Sequence, residues 1–116
     1  MADYTFEGKA LHVDLKLVYN TEFNETLTYT DDQDVAIDLT GYTAVLEIRN
    51  LDTNVVVSTY AETDPELTLG DAAGTIGILF TVADIAVLEN PCYEWDIIFN
   101  GNYRFLKGYI YTGDLL

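Results

Sequence analysis

The stretch Tyr93-Glu94-Trp95-Asp96-Ile97-Ile98-Phe99-Asn100-Gly101-Asn102-Tyr103-Arg104-Phe105-Leu106-Lys107-Gly108-Tyr109-Ile110-Tyr111 decides the fold. Tyr93, Trp95, Ile97 and Phe99 alternate with Glu94, Asp96 and Ile98, the two-residue period of a strand with one packed face and one outer face. Asn100-Gly101 has the chemistry of a positive-φ turn, and Tyr103, Phe105, Lys107, Tyr109 and Tyr111 then alternate on the return. This is a β-hairpin. Its second strand carries bulky residues on both faces, because Leu106 and Ile110 oppose the tyrosines. Such a strand is either covered twice or ends at a contact with another chain.

The same rhythm extends upstream. Leu11, Val13, Leu15, Leu17 and Tyr19 alternate with His12, Asp14 and Lys16, which predicts one strand with His12 on its wet face. Further alternating segments run from Phe23 to Tyr29, through Val35, Ile37 and Leu39, and from Tyr42 to Arg49; Val55 to Tyr60 is β-branched enough to be a strand. Residues 62 to 66 read as a surface loop around Pro65, followed by short extended pieces at Leu67 to Leu69 and Thr75 to Phe80. One segment breaks the pattern: Thr81-Val82-Ala83-Asp84 has the spacing of a helix N-cap, with Ile85 and Leu88 following, so one to two helical turns are expected before Pro91. Seven to eight short strands with one helical turn predict an all-β, antiparallel immunoglobulin-like sandwich. Residues 11 to 116 are assigned to the sandwich and residues 1 to 10 to an N-terminal arm outside it.

Composition limits the functions available. The chain has 116 residues, 49% of them hydrophobic, which suits one globular domain. Against 20 Asp and Glu stand 5 Lys and Arg, a net charge of −15. Such a surface repels phosphate backbones and anionic lipid, so neither nucleic acid nor a membrane is expected as a partner. Cys92 and His12 are the sole residues of their kinds, which leaves no internal disulfide and no His-pair or Cys-based metal site. The first residues lack the pattern of a signal peptide, and no apolar run is long enough to span a bilayer.

Catalysis finds little support. Ser58, the single serine, has no elbow glycines around it, and Cys92 at a strand start reads as a small packed residue and not as the partner of His12. Glu94 and Asp96 are expected on the outer face of their strand. The acidic turn Asp31-Asp32-Gln33-Asp34 lacks the glycine and closing glutamate of a calcium loop and reads as solvated. No enzyme, cofactor or metal is therefore expected.

Several ordered motifs resemble a family of small immunoglobulin-like virion proteins of tailed bacteriophages. They are Asp38-Leu39-Thr40-Gly41-Tyr42-Thr43-Ala44 with Ile48-Arg49, Leu67-Thr68-Leu69-Gly70-Asp71-Ala72-Ala73-Gly74-Thr75-Ile76, Phe80-Thr81-Val82-Ala83-Asp84 with Leu88, and Tyr93-Glu94-Trp95-Asp96 with Arg104-Phe105-Leu106-Lys107-Gly108. With Phe23 to Tyr29 they cover residues 17 to 111 in the family's order. The resemblance implies a stand-alone, non-enzymatic tail, baseplate or fibre-adaptor subunit, assembled in the host cytoplasm and incorporated in the virion. Its partners would be other phage virion proteins in a homo- or hetero-oligomer. Tyr4, Phe6, Tyr109, Tyr111, Leu115 and Leu116 are the expected contact residues. Two alternatives stay open: a capsid decoration protein, and a glycan-binding module stacking sugars on Tyr60, Trp95 or the hairpin tyrosines.

Overall fold

The computed structural model describes residues 3–7, 11–30, 33–100 and 103–113. Among them are ten strands: β1 (Asp3–Glu7), β2 (Leu11–His12), β3 (Leu15–Val18), β4 (Phe23–Thr30), β5 (Ala44–Asn50), β6 (Val56–Ala61), β7 (Leu67–Leu69), β8 (Thr75–Phe80), β9 (Cys92–Phe99) and β10 (Tyr103–Gly113). A short helix, α1 (Val82–Ala86), joins β8 to β9. One sheet has the order β1-β4-β8-β7 and the other β2-β10-β9-β5-β6, with β3 also paired to β10. This is an all-β sandwich whose connectivity follows the immunoglobulin pattern.

The periodic segments became strands because one face of each had a core to enter. Leu27, Ile76, Ile78 and Phe80 from one sheet meet Leu46, Ile48, Trp95, Ile97, Phe99, Leu106 and Ile110 from the other, all at most 1% exposed. The helix forms as its sequence predicts. Thr81 Oγ1 accepts from the Asp84 N–H at 3.1 Å, and Asp84 Oδ2 accepts from the Thr81 N–H at 2.9 Å, a closed capping box. Ile85 and Leu88 then fix the turn to the core.

The structure departs from the sequence expectations in four places. Residues 3–7, set apart as an arm, lie as β1 along β4, so part of that stretch belongs to a sheet. The sandwich is not wholly antiparallel: β1 on β4, and β2 and β3 on β10, are parallel pairings. Leu11 to Tyr19 is two strands and not one, broken at Val13-Asp14, where the chain crosses Gly108. A Cβ at position 108 would lie 1.8 Å from the Val13 carbonyl oxygen and 2.5 Å from its carbon, so only glycine admits this crossing. The Val13 N–H bonds to Lys107 O at 2.8 Å, and the Trp95 indole N–H donates to Val13 O at 2.9 Å. With β1 and this break, the strand count rises above the seven or eight expected.

The fourth departure is at Val35, Ile37 and Leu39. These alternate in sequence but form only an isolated bridge, Thr30 to Ala36, while the chain passes from one sheet to the other. The segment is held against Gly74, which sits at φ 68°. A Cβ there would meet Ile37 O at 2.8 Å and Tyr29 O at 2.9 Å. Gly74 is thus the point at which these chain segments approach most closely.

Candidate interaction face

The outer face of the six-stranded sheet gathers the polar and aromatic residues that point away from the core. The register of β10 on β9 shifts between Arg104 and Leu106. Beyond it, Leu106, Gly108 and Ile110 face the core, which leaves Lys107, Tyr109 and Tyr111 on the outer side. In the register of the hairpin, Tyr109 lies opposite Glu94 and Tyr111 opposite Cys92. Tyr109 is half-buried and Tyr111 is 44% exposed.

A polar knot holds these rings. His12 Nε2 lies 2.7 Å from Asp14 Oδ1, the oxygen that also accepts the Tyr109 backbone N–H at 2.9 Å. The His12 and Tyr109 rings are 5.4 Å apart, and Tyr109 and Tyr111 follow at 6.3 Å. Partial burial and the Asp14 charge push the Tyr111 phenol above its ordinary range. Between them a hollow of about 90 Å³ is lined by His12, Glu94, Lys107, Gly108 and Tyr109, well below the few hundred Å³ typical of small-molecule sites. The hollow gives little enclosure for a small ligand.

Beside this knot lies an ion cluster. Asp96 lies on the outer face of its strand as expected, alternating with the buried Trp95, yet it is covered there and only 3% exposed. It sits on a central strand between β5 and β10, and Arg49 from β5 closes over it. Arg49 Nη1 is 2.7 Å from Asp96 Oδ2, and its other terminal nitrogen pairs with Glu47. The charges of Asp96, Glu47 and Glu94 outweigh desolvation and raise the Arg49 pKa, so the guanidinium is fixed as a cation.

The expected contact residues are dispersed. Tyr109 and Tyr111 share the outer face, but Tyr4 and Phe6 belong to β1 at the edge of the other sheet, at register positions opposite Leu27 and Tyr29. Leu115 and Leu116 lie outside the described residues. Asp31 and Asp32 of the acidic turn also lie outside them; Gln33 and Asp34 are exposed. Trp95 is fully buried, so it offers no stacking platform. Cys92 lies opposite Tyr111 and His12 opposite Lys107 on the two sides of the same strand, so about 13 Å along β10 and two strand spacings across it separate them. Burial raises the Cys92 thiol above its ordinary range, with Asp14 adding to the effect. Among the described residues, no group of three His, Cys, Asp or Glu is placed to hold a metal ion, and no helix is long and apolar enough to cross a membrane.

Tyr60 sits on the core side and packs on Phe80 at 5.8 Å. Its hydroxyl reaches Asp84 Oδ1 at 3.3 Å. Burial first, and the Asp84 charge second, push its pKa up to about 12. In the unfolded chain the phenol loses its proton near its ordinary value, so this contribution to stability is complete below about pH 10 and is lost as pH rises to about 12. Tyr60→Phe is expected to flatten that alkaline decline, measured as the denaturation midpoint between pH 9 and about 12. An identical decline in both proteins would contradict the assignment.

Sequence comparisons identify no relative: no family model matches the chain, and no curated protein does. Among solved structures, the N-terminal domain of phage TP901-1 ORF48 superposes with a TM-score of 0.58 at 11% identity, covering 98% of this chain and 100% of that one. At that identity the likeness is one of fold. It matches the fold of this chain to a solved domain over nearly the full length of both.

Proposed function

We propose that this protein is a non-enzymatic structural subunit of a tailed-phage virion, acting in the tail, baseplate or fibre attachment by packing against other virion proteins. The observation that carries the reading is the end-to-end match to a domain of a phage protein. The sequence motifs resembling phage virion sandwiches point the same way. The outer face with Tyr109 and Tyr111 supplies the means, since partly exposed tyrosines are effective anchors once a partner excludes water from them. A stable contact needs about 800 Å² on each partner, more than these two rings provide, so neighbouring surface must join them. The net charge of −15 favours a basic patch on the opposing protein. Assembly would take place in the host cytoplasm, and the mature location would be the particle.

Peptide mass mapping of purified particles tests this. The chain is expected at a fixed small multiple per particle, in keeping with a tail or baseplate ring. Its absence from washed particles would overturn the proposal, and hundreds of copies would move it to the capsid.

A further inference from the structure

The β5–β6 hairpin carries a second, distinct surface. Of the large apolar side chains left exposed, Leu51 (44%), Val55 (58%), Val56 (40%) and Val57 (44%) fall together at its tip and along the start of β6. That strand is the edge of the six-stranded sheet. Thr53 to Ala61 contains neither a charge nor a proline, although soluble proteins usually blunt an edge with lysine, proline or brevity. Two of the other edges follow that custom: β7 has three residues, and β3 carries the exposed Lys16. A register irregularity opposite Arg49 bends β6 near Val57, and the pairing is regular from Ser58 onward.

The backbone there is set for another strand. The Glu62 N–H bonds to Ala44 O at 3.1 Å, and Tyr60 and Ser58 lie opposite Leu46 and Ile48. The alternation of an antiparallel ladder then turns Tyr60 and Ser58 toward β5 and directs the backbone groups of Thr59 and Ala61 outward. Asp64 Oδ2 already takes the Ala61 N–H at 2.8 Å, so the edge offers a partner the N–H and carbonyl of Thr59 and the carbonyl of Ala61. Next to the tip, Asn50, Leu51, Asp52, Asn90, Pro91 and Cys92 line a cleft of about 260 Å³, large enough for a side chain.

Charge selects the occupant. Asp52 stands at one end of the neutral strand and Glu62, Asp64 and Glu66 at the other. A second copy paired antiparallel about Ser58 would bring Asp52 of each chain toward the acids of its partner. We propose that the β6 edge receives an extended segment of a partner protein, uncharged and β-branched at its centre and carrying Lys or Arg at both ends. This rests on the structural role above only in supposing a protein partner.

The test titrates the ¹⁵N-labelled full chain with a capped peptide, Lys-Thr-Val-Thr-Val-Thr-Val-Thr-Lys, and with its Glu-ended counterpart. Amide shifts are expected at Leu51 and Ser58 to Ala61, with binding weakened about tenfold or more for the acidic peptide and in Thr59→Pro and Val57→Lys. Val57 is exposed, so Val57→Lys keeps the fold and carries the comparison alone if Thr59→Pro unfolds. No shift at β6 with millimolar peptide, or equal affinity in wild type and Val57→Lys, overturns the proposal. A dimer seen by sedimentation and abolished by Val57→Lys gives the edge to a second copy and overturns the stated occupant. The titration uses the isolated chain, so it fails or succeeds independently of whether the protein is found in particles.

Discussion

Gly108→Ala is expected to cost about 3 kcal/mol of folding stability, at the upper end of what overpacking a core costs. The added carbon would stand 1.8 Å from the Val13 carbonyl oxygen, and the obstructing atoms are backbone, so no side-chain rotation relieves the clash. Relief requires the Val13-Asp14 crossing to lift from β10. That movement also breaks the bond from the Trp95 indole to Val13 O. For a domain of this size the loss corresponds to a fall in Tm of about 10 °C or more. Trp95 emission should shift to the red in the folded variant, because the indole gains access to water. Calorimetry and tryptophan fluorescence measure the two effects. A variant as stable as the wild type would mean that the crossing does not press on Gly108.

The second large effect is expected at Arg49→Met. Asp96 retains 4% of its side-chain exposure and Arg49 14%, so the pair is nearly dry. Removing the cation takes away the guanidinium that closes over a nearly dry carboxylate, at an expected cost of about 3 kcal/mol. Charge is the cause, so Asp96→Asn in the same background should recover part of the loss. The double-mutant cycle isolates the coupling of the two side chains. Equal losses in Arg49→Met and in the double variant would show that packing of the arginine stem, and not its charge, was responsible. Denaturant unfolding at neutral pH decides between them.

The residues behind these predictions also show what a linear sequence reveals. Trp95, Ile97 and Phe99 were legible as core from their period alone, and Thr81 with Asp84 announced the helix start, because both signals are local. Gly108 was partly visible: an isolated glycine in a strand pattern marks a close backbone approach. What approached it, Val13, could not be read from a position so distant in the chain. The same is true of Asp96, whose burial depends on Arg49 reaching across from a neighbouring strand. Alternation gave its direction but not its cover. The register irregularity between Arg104 and Leu106 in the last hairpin leaves no mark in composition, so alternation alone did not reveal it. Val35, Ile37 and Leu39 had the rhythm of a strand, yet the chain there bridges two sheets, and Gly74 holds it in place. For the interaction face, grouping was not legible: of the residues expected at a contact, Tyr109 and Tyr111 lie on the outer side of one sheet, while Tyr4 and Phe6 belong to a strand of the other.

The outward tyrosines are where a structural role is most directly measured. Hydroxyl-radical footprinting of the free chain and of purified particles reads the exposure of each ring, with Tyr42, packed edge-on against Phe99, as the internal reference. Tyr111 should oxidise readily in the free chain, and both Tyr109 and Tyr111 should be protected about fivefold or more in the particle, as expected of anchors at a desolvated contact. Equal oxidation of Tyr111 in the two states would contradict the assignment of this face to assembly.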